Sequence, residues 1–456
     1  MAYDLLIKNG QVVTPESTTE ASVLVKDGKI AGLIGHDSLP AAAEIFDAKG
    51  LHVLPGLIDG HVHFRDPGLT HKEDFSTGSL AAAHGGIATV IDMPNVVPAT
   101  SNVDGLRAKL AEAGSKSFVD YGLLGVVLEG NIADLAPMAR AGVVGFKIFM
   151  GETVGKLPAP SDGAILDSMR IIASMGLRVG VHAEDNSIIR HCTERLKAAG
   201  RKDPMAFVES RPSIAEQECI ARAIMFASAT GVRLHIHHLS SAEGVDLVAE
   251  ARLRGVDVTA ETAPHYLLLD ESLMERLGPM LKINPPVRAK RDQQALWQGL
   301  LDGTIDIVAT DHSPHTLEEK FKESIWDASP GFCGVESGVA LMLTQVNKRR
   351  MSLNHYVSVA SEGPARVWDL YPKKGCIGLG SDADFTLVDM KRSGVVRAEA
   401  LHSKSKVTPF DGYRVKGMPV ATVVRGTFVL RDGAVTGAPS GQFVRPVRLL
   451  ERLPSG

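Results

Sequence analysis

Hydrophobic and polar positions follow two different rhythms along this chain. Near both ends the apolar runs are short and β-prone. At the start they are Leu5-Leu6-Ile7, Gln11-Val12-Val13, Val23-Leu24-Val25 and Ile30-Ala31, split by Asn9-Gly10 and Asp27-Gly28. Runs parted by Asn-Gly and Asp-Gly pairs predict antiparallel hairpins. The same texture returns at residues 384–388, 420–424 and 427–430, punctuated by Asp432-Gly433. Chain ends often lie close together, so both termini are expected to build one small β-sandwich domain, from residues 1–52 and 371–442. Residues 443–456 read as a short basic surface extension.

Between these ends the rhythm changes. Apolar β-prone runs at 51–58, 88–93, 118–127, 143–150, 177–182, 232–239, 257–263 and 305–310 alternate with longer stretches of helical spacing, such as 102–113, 187–199, 213–228 and 291–301. Eight strand–helix alternations imply a parallel sheet, and eight is the number that closes a (β/α)₈ TIM-type barrel, here assigned to residues 53–370. A doubly wound open sheet is the competing α/β arrangement, but the first turn carries no GxGxxG. The helical stretch 336–370, with Pro364 inside it, is expected to cover the last strand and return the chain to the β domain.

Composition narrows the class. Of 456 residues, 44% are hydrophobic and 22% charged, which is ordinary for a folded globular chain. The formal net charge is −4 and there is no Lys/Arg block, so nucleic acid and anionic membranes are not expected partners. Cys192, Cys219, Cys333 and Cys376 lie far apart with no CxxC spacing, as free thiols of a reducing compartment would. With no basic n-region, no signal-type apolar core and no run of about 18 apolar residues, a cytoplasmic location is expected.

The candidate chemistry gathers at the C-terminal ends of the expected strands, where barrels of this kind place catalytic groups. Strand one runs into His61 and His63, with Arg65 immediately after. Strand two is followed by Met93-Pro94-Asn95, and strand four holds Lys147. Strand five ends in His182, strand six in His238. Strand seven is followed by His265, strand eight by Asp311, His312 and His315. Roughly half of the 16 histidines fall in such positions, the pattern of a metal site rather than of scattered surface imidazoles. His36, His71, His84, His191, His355 and His402 read as ordinary surface or packing residues. In 235–238, strand alternation puts His238 opposite His235 and His237, without saying which face is inward. Lys147 is the odd member. An ammonium group would repel a dication, so it must point away, pair with Asp311 or be chemically converted.

Taken together, Asp59-Gly60-His61-Val62-His63, Gly145-Phe146-Lys147, Val181-His182-Ala183-Glu184, His238-Leu239-Ser240-Ser241 and Thr310-Asp311-His312 resemble the cyclic amidohydrolase family: dihydroorotases, allantoinases, dihydropyrimidinases and hydantoinases. The resemblance spans nearly the whole chain. It implies that His61, His63 and Asp311 bind one metal ion and His182 and His238 a second. It further implies two zinc ions bridged by a hydroxide and by Lys147 carboxylated on its side chain, with Asp311 as the proton-transfer group. The substrate is then a small cyclic amide or ureide, and the assembly a homodimer or homotetramer.

Arg65, Asn95 and His265 resemble the carboxylate-binding set of dihydroorotases, and Asn284 and the stretch 311–315 with His315 also look like that branch, which implies that these five contact the substrate. The leading expectation is therefore interconversion of N-carbamoyl-L-aspartate and L-dihydroorotate, a step of pyrimidine biosynthesis. Lys147, Ser210-Arg211-Pro212 and the segment 375–384 look instead like allantoinases or dihydropyrimidinase/hydantoinase-type enzymes, which keep the strand-four lysine that many bacterial dihydroorotases lack. A catalytically silent scaffold relative would have lost ligands, and this chain fills all six positions. Residues 151–160 and 331–334 are candidate lids over the substrate.

Overall fold

The computed structural model describes residues 2–35, 40–151, 153 and 157–450. His36, residues 152 and 154–156 of the candidate lid 151–160, and residues 451–456 lie outside them. The N-terminal strands are β1 (Tyr3–Val13), β2 (Thr18–Lys26), β3 (Lys29–Ile34), β4 (Ala42–Asp47) and β5 (His52–Pro55). The central strands are β6 (Leu57–Val62), β7 (Ile87–Asp92), β8 (Asp120–Val126), β9 (Gly145–Phe149), β10 (Arg178–His182), β11 (Arg233–Ile236), β12 (Val258–Thr262) and β13 (Ile307–Val308). At the C-terminal side come β14 (Phe385–Val395), β15 (Arg414–Val424), β16 (Thr427–Arg431) and β17 (Ala434–Val435).

Strands β6 to β13 pair in chain order as one parallel sheet of eight. The sheet closes where His63 N donates to His312 O at 2.8 Å and Thr310 N to the Asp59 carboxylate at 3.1 Å. This is the expected (β/α)₈ barrel. Its helices start and stop where local chemistry tells them to. Asp74, Asn102, Ser161, Asp185 and Ser241 cap the N-termini of helices Phe75–His84, Val103–Lys116, Asp162–Met175, Asn186–Ala198 and Ala242–Leu253 by accepting a backbone N–H. Helices Asp162–Met175, Ser213–Thr230 and Lys290–Asp302 end on left-handed Gly176, Gly231 and Gly303.

The terminal strands form one continuous nine-stranded sheet in the order β17-β16-β15-β14-β5-β1-β2-β3, with β4 beside β1. Residues from both chain ends, among them Leu5, Val23, Phe385 and Val423, share one core. Two boundaries differ from the sequence reading. The apolar run 51–58 is two strands: β5 pairs with β1 and β14 in the terminal sheet, and only after Gly56 does β6 enter the barrel. A Cβ on Gly56 would lie 2.5 Å from Asp384 Cβ, so the crossing between the two sheets needs glycine. The tail is not wholly a surface extension. Phe443 bridges to Tyr121 at the start of β8, and Val444 is buried in the core beside Trp368.

Candidate metal centre

At the C-terminal mouth of the barrel, two imidazoles converge on one carboxylate oxygen. His61 Nε2 and His63 Nε2 lie 3.5 and 3.3 Å from Asp311 Oδ1. Their other nitrogens are held by separate partners, His61 Nδ1 by Glu261 at 2.5 Å and His63 Nδ1 by Asn95 Oδ1 at 2.9 Å. Each ring thus donates from Nδ1 and turns the lone pair of Nε2 into the centre, as metal-bound histidines do. Across from them His182 Nδ1 and His238 Nε2 stand 3.0 Å apart, while His182 Nε2 meets Glu184 at 3.1 Å. Glu184 is in turn gripped by Arg211 at 2.5 Å. Burial aided by Lys147 keeps His61 well below its ordinary pKa, and burial with Arg65 does the same for His63. Burial and His182 act likewise on His238.

Lys147 stands between the two halves. Its Nζ is fully buried and has no hydrogen-bond partner. Burial lowers this amine to about 7, against the pull of Glu261 and Asp311. Burial raises Asp311 to about 7, against Lys147 and Arg65. Lone pairs from four imidazoles and a carboxylate, aimed inward around an orphaned amine, fit divalent metal ions better than any internal hydrogen-bond scheme. The backbone is bent to make this possible. Arg65, His238 and Asp311 have φ of 61°, 38° and 47°, a region costing about 1–3 kcal/mol for a non-glycine residue.

His238 also explains why strand alternation failed as a guide. Strand β11 ends at Ile236, and the left-handed turn at His238 swings it inward along with its neighbours. His235 Nε2 and His237 Nδ1 both donate to Glu261, at 3.0 and 2.9 Å. Glu261, Glu184 and Arg211 were not singled out from the sequence as site residues. The sequence signal for Glu261 is a carboxylate embedded in the apolar run 257–263, and that for Glu184 is its place two residues after His182 in Val181-His182-Ala183-Glu184.

A cavity of about 40 Å³ opens above the centre, lined by His61, His63, Lys147, His182, His238 and Asp311 and by Arg65, Asn95, Thr153, Asn284, Ser313 and Pro330. Arg65 is fully buried: Nη2 donates to Ser313 Oγ at 2.7 Å, whereas Nη1 has no partner. Asn284 Oδ1 is likewise unpartnered. His265 and His315 do not line the cavity. His265 packs against Tyr266 and Phe332, with ring centroids 4.2 and 5.1 Å away. His315 sits behind Arg65, its Nε2 3.5 Å from Nη2 and its Nδ1 3.2 Å from Lys72 Nζ. A larger hollow of about 710 Å³ lies at the opposite mouth, where Arg233 and Arg366 are paired with Asp369 and Glu362; it gathers no inward-facing ligand set. No helix among the described residues is long and apolar enough to cross a membrane.

An eight-stranded barrel whose C-terminal mouth gathers histidines, a lysine and an aspartate has the layout of a metal-assisted hydrolase. The chain belongs to the Amidohydrolase family, which it matches over residues 52–429. It is a cyclic amidohydrolase, a hydrolase acting on cyclic amides. Its fold is shared with the structure of the L-hydantoinase (dihydropyrimidinase) from Arthrobacter aurescens, with a TM-score of 0.95 and 39% identity over 97% of this chain and 100% of that one. An allantoinase of Desulfitobacterium hafniense strain Y51 is 39% identical over 97% of this chain and 99% of its own length. A dihydroorotase of Methanothermobacter thermautotrophicus is 40% identical over 95% of each. The dihydroorotase branch expected from Arg65 is thus not singled out by similarity.

Proposed function

We propose that the chain opens the ring amide of an uncharged cyclic ureide of the hydantoin or allantoin class. The observation that carries this reading is Lys147, buried and unpartnered between two sets of inward-facing ligands. In this reading His61, His63 and Asp311 would hold one zinc ion and His182 and His238 a second, with Lys147, carboxylated to a carbamate, supplying a further oxygen ligand. The neutral amine adds to CO₂, forming an N–C bond and releasing one proton, so the side chain becomes an anion. Bound divalent ions supply Lewis-acid polarisation of the amide carbonyl and a lowered pKa for water.

The side chains do the rest. Asp311 takes the proton of the attacking water on a carboxylate oxygen and delivers it to the ring nitrogen as the C–N bond breaks. Glu261, Asn95 and Glu184 keep His61, His63 and His182 in the tautomer whose lone pair faces the centre. Asn284 Oδ1, unpartnered in the cavity lining, would accept from a ring N–H.

A second reading, dihydroorotase, is favoured by one observation: Arg65 Nη1 is buried at the cavity without a partner, as a donor to a substrate carboxylate would be. Steady-state assays with allantoin, hydantoin and L-dihydroorotate separate the two. Turnover of either ureide at least tenfold above dihydroorotate is expected; turnover of dihydroorotate alone overturns the first reading in favour of the second.

A further inference from the structure

A second cluster of metal-ligating side chains lies outside the catalytic mouth. His84, Glu336 and His402 come from three separate segments, and one ligand atom of each lies within 4.8 Å of the others. We propose that these three residues form a peripheral site for one divalent transition-metal ion of the zinc type.

The local construction favours a cation. His84 is the last residue of helix Phe75–His84, where backbone carbonyls gather negative partial charge. The helix end is pressed onto the loop that carries Glu336: a Cβ on Gly85 would lie 2.4 Å from Val335 O and 2.9 Å from Glu336 Cα. Glu336 is fixed from the other side, one oxygen accepting from His402 N at 2.7 Å and the other meeting His402 Nδ1 at 2.9 Å. The His402 Nδ1–Glu336 contact is at hydrogen-bond distance, so a proton now holds the place that an ion would take between them. Burial together with His402 holds His84 at about 4, so its ring is neutral and able to coordinate at physiological pH.

Two features set the terms of binding. The rings of His84 and His402 are stacked, with centroids 3.5 Å apart and planes at 12°. A metal lies in the plane of each imidazole it binds, so the stack must open as the ion enters. Among the described residues no hydrogen bond to the His84 ring opposes that opening; the stack on His402 is what must give way. Arg392 and Arg397 line the adjoining cavity of about 250 Å³, so the ion's outward position favours an anionic fourth ligand such as chloride or a carboxylate.

Occupancy would tie the barrel helix to the segment that follows His402. That segment reaches the catalytic face: Lys404 Nζ donates to Thr70 O at 2.7 Å and Ser405 Oγ to His315 O at 2.6 Å. The ion would therefore stiffen the wall behind Arg65 without touching substrate.

The test is equilibrium dialysis of the full-length protein against Zn²⁺ alone, with elemental analysis of bound metal and thermal melting on the same samples. His84→Gln and Glu336→Gln are compared with wild type after confirming equal turnover. One fewer ion per chain at saturation in both variants, with loss of the Zn²⁺-dependent rise in melting temperature seen in wild type, is the expected result. Equal ion counts in wild type and variants overturn the proposal. Because the measurement is a difference between proteins of equal turnover, it stands or falls separately from the assignment of the catalytic ions.

Discussion

Glu261→Ala is the sharpest test of how the centre is held. This carboxylate is buried and accepts from His61 Nδ1 at 2.5 Å, His235 Nε2 at 3.0 Å, His237 Nδ1 at 2.9 Å and the backbone N–H of His238 at 3.2 Å. Truncation strands four buried donors at once. A stranded donor costs about 1–3 kcal/mol, and water entering the vacated space recovers part of that, so a net loss of about 2–4 kcal/mol is expected. His61 also loses the partner that keeps its proton on Nδ1, which should weaken metal binding about 10- to 100-fold. Urea unfolding read by circular dichroism gives the first quantity, and competition against a chelator of known affinity gives the second. Glu261→Gln, which keeps the volume but turns an N–H toward one of the donors, should fall between alanine and wild type. Wild-type stability together with wild-type metal affinity in Glu261→Ala would refute the claim that this residue supports the site.

Four further outcomes are expected. Lys147→Ala should lose about 10²-fold or more in turnover and bind less metal; full activity with full metal content would remove the lysine from the site. Arg65→Ala should leave hydantoin and allantoin turnover within a few-fold of wild type. If dihydroorotate is a substrate, the same change should weaken its kcat/KM by the worth of a charged hydrogen bond, about 1.5–3 kcal/mol. Lys374 is buried with Asp120, Asp382 and Asp384 at 2.5, 2.9 and 2.6 Å, so Lys374→Met should destabilise by about 3–5 kcal/mol in the same urea assay. Burial works to raise Asp382, but Lys374 and Lys29 outweigh it and hold the carboxyl below its ordinary 3.8. Its contribution is therefore fully present above the unfolded value and drains away as pH falls through the folded one; a melting temperature unchanged below pH 4 would contradict this.

The barrel was legible because its information is local. Eight apolar runs alternating with helical stretches repeat a short-range pattern, and caps or stops such as Asp74 or Gly176 can be read within a few residues of where they act. The gathering of the candidate ligands was legible for a related reason: the fold puts every strand end on one rim, so residues far apart in sequence become neighbours by topology. What supports the ligands was not legible. Glu261 serves His61 across 200 residues and Glu184 is neutralised by Arg211 across 27, and nothing in local spacing announces either pairing. The division of 51–58 into β5 and β6 was hidden likewise, because both halves are apolar and only the contact of Gly56 with Asp384 marks the crossing.

The histidines at 235–238 show where pattern reasoning breaks and why. A strand keeps its period of two only while φ stays extended. At His238 φ is 38°, and one left-handed residue carries a side chain assigned to the opposite face into the interior with its neighbours. Arg65 departs in the same manner, with φ of 61°, which folds the guanidinium back under the loop rather than out to solvent. Its role as a marker of substrate charge is weakened by what it touches there. Nη2 is committed to Ser313 Oγ and Nε faces Pro314 O at 3.4 Å, so only Nη1 remains for a ligand. A fork onto a carboxylate uses parallel N–H groups on two nitrogens, and with Nε and Nη2 engaged this arginine offers Nη1 alone. The N–H groups of Nη1 can face a ureide carbonyl or a carboxylate oxygen, with less at stake for the uncharged carbonyl. An arginine in the sequence is therefore compatible with both substrates, and only the turnover of uncharged against charged rings, with Arg65 present and removed, assigns the donor its partner.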